Sequence, residues 1–170
     1  MMSESQKLQK AKQVVDQTKF AERERRAAVF LDRDGTINMD KDFVCRIEDF
    51  EFLPGAIEGL KLLQDAGYLL IIITNQSGIA RGYYTEADFH KLNDWMLTEL
   101  QEHYGVKIDA VYYCPHLPST DELVAPELKK YRVSCTCRKP QIGLFEKATI
   151  TIIIIEFPFF FSIIIFSLEY

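Results

Sequence analysis

The sequence predicts an α/β fold built on a parallel sheet, and the prediction rests on three apolar runs, the helical stretches between them, and the polar turns that follow. The runs Ala27–Leu31, Tyr68–Ile73 and Ile108–Tyr113 are short and rich in β-branched or aromatic residues, as strands buried on both faces are. Strands alternating with helices pair in parallel through right-handed crossovers. A first helix is expected over Gly55–Ala66, where Pro54 precedes it and Gly67 ends it. A second is expected over Thr85–Tyr104, in which Phe89, Leu92, Trp95, Met96 and Leu100 recur at helical spacing and form a core face rather than a cofactor site. His90 and His103 on that helix read as surface or satisfied structural residues. Residues 38–52, between the first strand and the first helix, are expected to form a small flap.

The chain has 170 residues, a length that fits one domain. Twenty Lys and Arg against 25 Asp and Glu leave a net charge of −5, which offers no electrostatic case for nucleic-acid binding. Selection of a charged ligand must come from local cations. Residues 1–26 interleave Lys and Arg with Glu, Gln and Asp, reading as a polar arm, either a solvated helix or disordered. No early apolar core of the signal-peptide type is present, and the cysteines read as mostly reduced, so a cytoplasmic location is expected. A monomer is expected, with no membrane partner.

Three segments carry candidate chemistry. In Phe30-Leu31-Asp32-Arg33-Asp34-Gly35-Thr36 two carboxylates stand one residue apart just after an apolar strand, the place where α/β sheets put their sites. Asp32 and Asp34 point the same way in extended chain and suit a hard divalent cation, while Gly35 permits a sharp turn. Asp and Gly also populate ordinary turns, so this segment alone fits either reading. In Ile73-Thr74-Asn75-Gln76-Ser77-Gly78, polar groups and free N–H groups after a strand could bind phosphate oxygens without adding negative charge, or form a plain loop. In Cys137-Arg138-Lys139-Pro140, two cations adjoin a proline that holds the preceding residue extended; a solvated basic pair is the bland alternative.

Cys114, His116, Cys135 and Cys137 form a second constellation, with three thiols and one imidazole in C-x-H and C-x-C half-sites. That is the donor set of a closed structural zinc site. Neither spacing is the common C-x-x-C, and reduced, inert thiols fit as well. A Cys135–Cys137 disulfide is disfavoured, because one intervening residue gives poor bridging geometry. Cys45 has no partner in this scheme and reads as a buried or partly exposed thiol.

Taken together, Phe30–Asn38, Thr74–Gly82, Tyr112–His116 and Cys135–Pro140 resemble the haloacid dehalogenase superfamily of phosphotransferases, over about Ala27 to Lys147. The resemblance implies a Rossmann-like parallel sheet with flanking helices, a small flap and a zinc-bound loop. It implies that Asp32 is the nucleophile that forms an aspartyl-phosphate, and that Asp34 is the general acid and base with its carbonyl on Mg²⁺. Thr74 and Lys139 would hold the transferring phosphoryl group. Asp40, Lys41, Asp42, Phe43, Asn75, Gln76, Ser77 and Arg138 would surround the rest of a small phosphorylated sugar. Zinc on Cys114, His116, Cys135 and Cys137 would pin the loop from Pro115 to Val133 and orient Arg138 and Lys139; with no open coordination position it would be structural. The implied reaction is hydrolysis of a sugar phosphate, the 7-phosphate of a heptose 1,7-bisphosphate being favoured over histidinol phosphate because the loop from His116 to Cys135 is long.

The resemblance stops after Lys147, where a helix and a strand ending in Gly-Asp would continue the pattern. The chain instead runs through apolar Ile150–Phe166, and no Asp follows Asp121. The expected organisation is therefore an arm over 1–26, an incomplete phosphatase domain over 27–148 and an atypical apolar tail over 149–170, with one edge of the Asp32 strand left uncovered. The tail reads as a membrane span, as replacement strands, or, by preference, as a truncation or frameshift product; the lost distal carboxylate leaves an inactive remnant as an alternative to the enzyme.

Overall fold

A computed structural model describes residues 27–118, 125–156 and 163–166, with the backbone alone for 152–156 and 163–166. Strands β1 (Ala28–Leu31), β2 (Leu69–Asn75), β3 (Ala110–Cys114) and β4 (Ile163–Phe166) form one sheet in the order β3-β2-β1-β4. Every pairing is parallel: Ala28 opposes Leu69 and Leu31 opposes Ile72, while Asn75 opposes Cys114. The helices are α1 (Ala56–Asp65), α2 (Gly78–Arg81), α3 (Glu86–Tyr104) and α4 (Gly143–Glu156).

Alternation along the strands explains why the runs are apolar throughout. Ala28 and Phe30 of β1, with Leu69, Ile71 and Ile73 of β2, pack on one face against Leu144 and Ala148 of α4. Val29 and Leu31, with Leu70 and Ile72, pack on the other face against Leu60 of α1 and Met96 and Leu100 of α3. Successive side chains point to opposite faces, so a sheet covered on both sides tolerates no polar alternation.

The ends of the elements follow local chemistry. Gly55 takes a left-handed conformation at φ +82° before α1. Thr85 opens α3 with a capping box, accepting from the Asp88 N–H while the Asp88 carboxylate accepts from the Thr85 N–H. Burial along α3 follows the predicted stripe at Phe89, Leu92, Met96 and Leu100, with Trp95 half-buried and Asn93 buried as well. His90 is exposed beside Tyr113, and His103 pairs with Glu99 at 3.2 Å. Two strand boundaries differ from expectation by two residues, and the others by at most one. β2 continues through Thr74 and Asn75, which the sequence reading set beyond the strand, because β3 supplies backbone partners as far as Cys114. β3 starts two residues late, since Asp109 turns both its N–H and its carboxylate onto Leu70.

The expected flap contains a single 3-10 turn, Ile47–Asp49; its first residue, Asn38, bridges to Asp34 in the body and to Phe52 at the flap's far end. The tail brings a correction. α4 runs on through residues 149–156, and β4 pairs with β1 from Ala28–Ile163 to Leu31–Phe166, so the edge expected to lie bare is covered. A run of isoleucines and phenylalanine has the β-branched and aromatic content that suits a strand. Among the described residues, no helix is long and apolar enough to cross a membrane. The arm over 1–26, and residues 119–124 of the long loop, lie outside the described residues.

Leu100 is fully buried between α3 and the sheet. Leu100→Ala is expected to lower the unfolding free energy by about 2–5 kcal/mol, measured by urea denaturation.

Candidate active site

The sheet order places β2 on one side of β1 and β4 on the other, so the crevice at the carboxyl end of β1 is the topological switch point. Asp32 and Asp34 stand there, both half-buried. Lys139, brought from the segment before α4, forms an ion pair with Asp32 Oδ2, while the Arg33 N–H donates to Asp32 Oδ1 at 2.8 Å. Asn75 at the end of β2 grips Lys139 by its backbone: Asn75 Oδ1 accepts from the Lys139 N–H at 3.0 Å, and Asn75 Nδ2 donates to the Lys139 carbonyl at 3.2 Å. The lysine thus reaches Asp32 on a fixed backbone.

Asp34 sits in a denser network. Its Oδ1 accepts from Arg33 Nη2 at 2.9 Å, Arg33 Nε at 3.2 Å and Asn38 Nδ2 at 3.0 Å; its Oδ2 accepts from Gln76 Nε2 at 2.8 Å and Arg33 Nη2 at 3.0 Å. Gln76 Nε2 also donates to Thr74 Oγ1 at 2.9 Å, and the Tyr84 hydroxyl donates to Gln76 Oε1 at 2.6 Å. Burial pushes the Tyr84 pKa up and keeps its proton in place as a donor. The tyrosine ring lies so close to Gly78 that a Cβ there would stand 2.2 Å from Tyr84 Cε1, which excludes any larger residue without rearrangement. Gly35, at φ +76°, turns the chain after the carboxylate pair.

Asp32, Asp34, Thr74, Asn75, Gln76 and Lys139, all singled out in the sequence, are therefore brought together by hydrogen bonds. Asp40, Lys41, Asp42 and Phe43 lie on the exposed rim of the flap. Asp40 comes within 3.9 Å of where a Gly35 Cβ would be, Lys41 pairs with Glu51 at 2.7 Å, and the Asp42 N–H donates to Asp40 Oδ1. Asp42 and Phe43 hold φ values of +56° and +58°, conformations that are costly for residues other than glycine. The Phe43 ring meets Tyr83 at 4.8 Å and lies under the Arg81 guanidinium at 5.5 Å. Ser77 is half-buried at the start of α2. Arg138 Nη1 donates to the His116 carbonyl at 3.3 Å. Arg33, Asn38 and Tyr84 were missed. Arg33 stands between the two carboxylates in the sequence, which was a usable signal, whereas nothing local marks Asn38 or Tyr84.

The four donors of Cys114, His116, Cys135 and Cys137 lie within 4.8 Å of one another. Cys114 Sγ is 3.6 Å from both His116 Nδ1 and Cys135 Sγ, and Cys137 Sγ is 3.0 Å from Cys114 Sγ and 3.3 Å from His116 Nδ1. Tetrahedral zinc with bonds of about 2.0–2.3 Å holds its donors roughly 3.5–3.8 Å apart, so the cluster fits zinc after small shifts in which the closest pair opens and the widest closes. None of the four cysteines is in a disulfide, and burial pushes the Cys114 thiol up. Cys45 is half-buried, packed beside Ile79, Tyr84 and Phe89.

A second tie holds the long loop. Glu86, the first residue of α3, accepts from the Tyr131 hydroxyl at 2.6 Å and the Tyr113 hydroxyl at 2.9 Å, and Arg132 Nε donates to the Ala80 carbonyl at 2.6 Å. The hydrogen bond from Tyr131 is the main cause that lowers the Glu86 pKa.

Residues 27–155 match the family model described as polynucleotide kinase 3 phosphatase. The chain is 51% identical over 121 residues to a D-glycero-beta-D-manno-heptose-1,7-bisphosphate 7-phosphatase of Haemophilus ducreyi, covering 71% of this chain and 63% of that protein. It is 50% identical over 121 residues to a D-glycero-alpha-D-manno-heptose-1,7-bisphosphate 7-phosphatase of Campylobacter jejuni, covering 71% and 61%. Among solved structures it resembles a D,D-heptose 1,7-bisphosphate phosphatase from B. bronchiseptica complexed with magnesium and phosphate, at 30% identity and TM-score 0.61, covering 75% of this chain and 63% of that one. The chain spans about three-fifths of the length of the curated relatives it matches.

Because the folded-state pKa of Glu86 is lowered, its contribution is complete above the ordinary glutamate value of about 4.3 and is lost as pH falls below it. Glu86→Gln is expected to flatten the acid limb of stability between about pH 5 and pH 3, read from thermal melts across that range. Zinc analysis of purified protein is expected to give one ion per chain, and Cys137→Ser to reduce that value and speed proteolysis between His116 and Cys135.

Proposed function

Because the chain belongs to the polynucleotide kinase 3 phosphatase family, within the haloacid dehalogenase superfamily, we propose that it hydrolyses a sugar phosphate monoester through an aspartyl-phosphate on Asp32. The proposed substrate is D-glycero-D-manno-heptose 1,7-bisphosphate, cleaved at the 7-phosphate. The observation that carries this reading is the pairing of Asp32 with Lys139 at the end of β1, with Asp34 two residues on. The names of the relatives at about 50% identity support the choice of substrate, and they include both anomers.

In the first half-reaction an Asp32 carboxylate oxygen attacks phosphorus, the bond from phosphorus to the sugar oxygen breaks, and Asp34 gives its proton to the departing alkoxide. In the second, Asp34 takes a proton from water as that water attacks phosphorus, and Asp32 leaves as a free carboxylate with release of inorganic phosphate. Lys139 and the Thr74 hydroxyl supply fixed positive charge and a donor to the equatorial oxygens, the positioning role that dominates phosphoryl transfer. Arg138, Ser77 and the flap residues Asp40–Phe43 are proposed to face the rest of the sugar and its second phosphate.

A carboxylate approaching a phosphate meets repulsion of about 1 kcal/mol per charge pair in water, and several times that in a partly buried cleft. A Mg²⁺ held by the Asp32 carboxylate and the Asp34 carbonyl would offset that repulsion when bound. Hard oxygen donors suit this ion, which keeps several waters and needs only one or two carboxylates beside the substrate phosphate. Zinc at the Cys114 cluster is proposed to be structural, since four protein donors close its coordination. The same reading places the enzyme in the cytoplasm, where thiols stay reduced.

Phosphate release from heptose 1,7-bisphosphate with added Mg²⁺ is expected to saturate with substrate and to fall by roughly 10³-fold or more in Asp32→Asn. Faster release from histidinol phosphate would replace the proposed substrate, and release from neither would mark the chain as a binding remnant.

A further inference from the structure

Arg33 is the largest fully buried side chain among the described residues, with 1% of its surface exposed, in a position where a charge is costly unless it is paired. Its guanidinium is spent locally. Nε and Nη2 grip Asp34 at 2.9–3.2 Å, Nη2 also donates to the Val44 carbonyl of the flap at 3.0 Å and to Gln76 Oε1 at 3.4 Å, and the guanidinium carbon stands 5.6 Å over the Phe89 ring. Nη1 finds no partner among the described residues. Gln76 is equally committed: Nε2 serves Asp34 and Thr74, and Oε1 accepts from Tyr84 and Arg33. With no polar atom free, Gln76 is suited to holding its neighbours rather than to touching a ligand.

The geometry points to Arg33 as a positioning residue that, locked between the flap carbonyl of Val44 and the ring of Phe89 and backed by Gln76, fixes the carboxyl plane of Asp34 for proton transfer to the leaving group. This inference rests on the proposed function, and it adds to it an orienting group and a link from the flap to the proton-transfer step. The planar fork of arginine is what the task requires, because two parallel donors on one carboxylate set its plane, whereas an ammonium attracts the charge without setting an orientation. A carboxyl turned away from the leaving oxygen cannot deliver its proton there and forfeits general acid catalysis, which is worth about 10²–10⁴-fold.

The test uses two esters that differ in their need for a proton. Cleavage of the 7-phosphate ester of heptose 1,7-bisphosphate expels an alkoxide and needs the proton, whereas cleavage of p-nitrophenyl phosphate expels a stable phenolate and does not. In Arg33→Met, and to a smaller extent in Arg33→Lys, the ratio of kcat on the sugar ester to kcat on the aryl ester is expected to fall about tenfold or more relative to wild type. In an Asp34→Asn background, Arg33→Met is expected to change that ratio by less than about twofold, because the group being positioned is gone. Equal loss on both esters, or no loss, overturns the positioning role, and a further fall in the Asp34→Asn background does the same. If Arg33→Met fails to fold in thermal melts, Arg33→Lys, which keeps the buried charge paired, carries the same comparison. A wild-type chain that releases phosphate from neither ester overturns the proposed function itself, an outcome distinct from a change in ratio.

Discussion

Two carboxylates one residue apart at the end of a buried strand repel each other, and the site is organised around the two cations that offset this. Arg33 stands between the two carboxylates in sequence and is sealed in the interior, where it pairs with Asp34. Lys139 comes from 107 residues beyond Asp32 and must be delivered by tertiary structure. In a partly buried cleft the attraction of each pair is several-fold stronger than in water, so withdrawing either cation would leave an uncompensated charge.

Delivery of Lys139 depends on three anchors of different chemistry. Asn75 binds its backbone from the end of β2, the Cys114 cluster fixes the chain two residues before it at Cys137, and Leu144 and Ala148 dock α4 just beyond it on the sheet. The loop that precedes these anchors is polar and interrupted by proline, with little apolar surface to hold it. Glu86 compensates by collecting the hydroxyls of Tyr113 and Tyr131, which ties that loop to the first turn of α3.

The flap and the Asp34 carboxylate share a partner in Arg33, which also donates to the Val44 carbonyl. Just before Val44, Asp42 and Phe43 hold left-handed conformations, at a cost that the contacts of Phe43 with Tyr83 and Arg81 help to offset. The exposed rim of the flap and the buried network beneath it are therefore mechanically continuous.

Much of this was legible in the chain itself. The three apolar strands, both long helices, the Asp32 and Asp34 pair and the zinc donors each announce themselves by local pattern, because strand burial, helical periodicity and ligand chemistry are properties of short segments. The pairing of β4 with β1 was not legible, since an isoleucine-rich run fits a membrane span, a replacement strand or a truncation product until a free edge is present to receive it. The burial of Arg33 was also hidden. A charged residue beside two aspartates looks solvated in sequence, and only the closure of Phe89, Val44 and Gln76 around it turns it inward. By itself the sequence determined where the carboxylate pair, the thiols and the late basic pair stand relative to the three apolar strands, because those are local patterns. The tertiary structure alone decided which cation meets which carboxylate, because that depends on loops whose ends are brought together by contacts far apart in the chain.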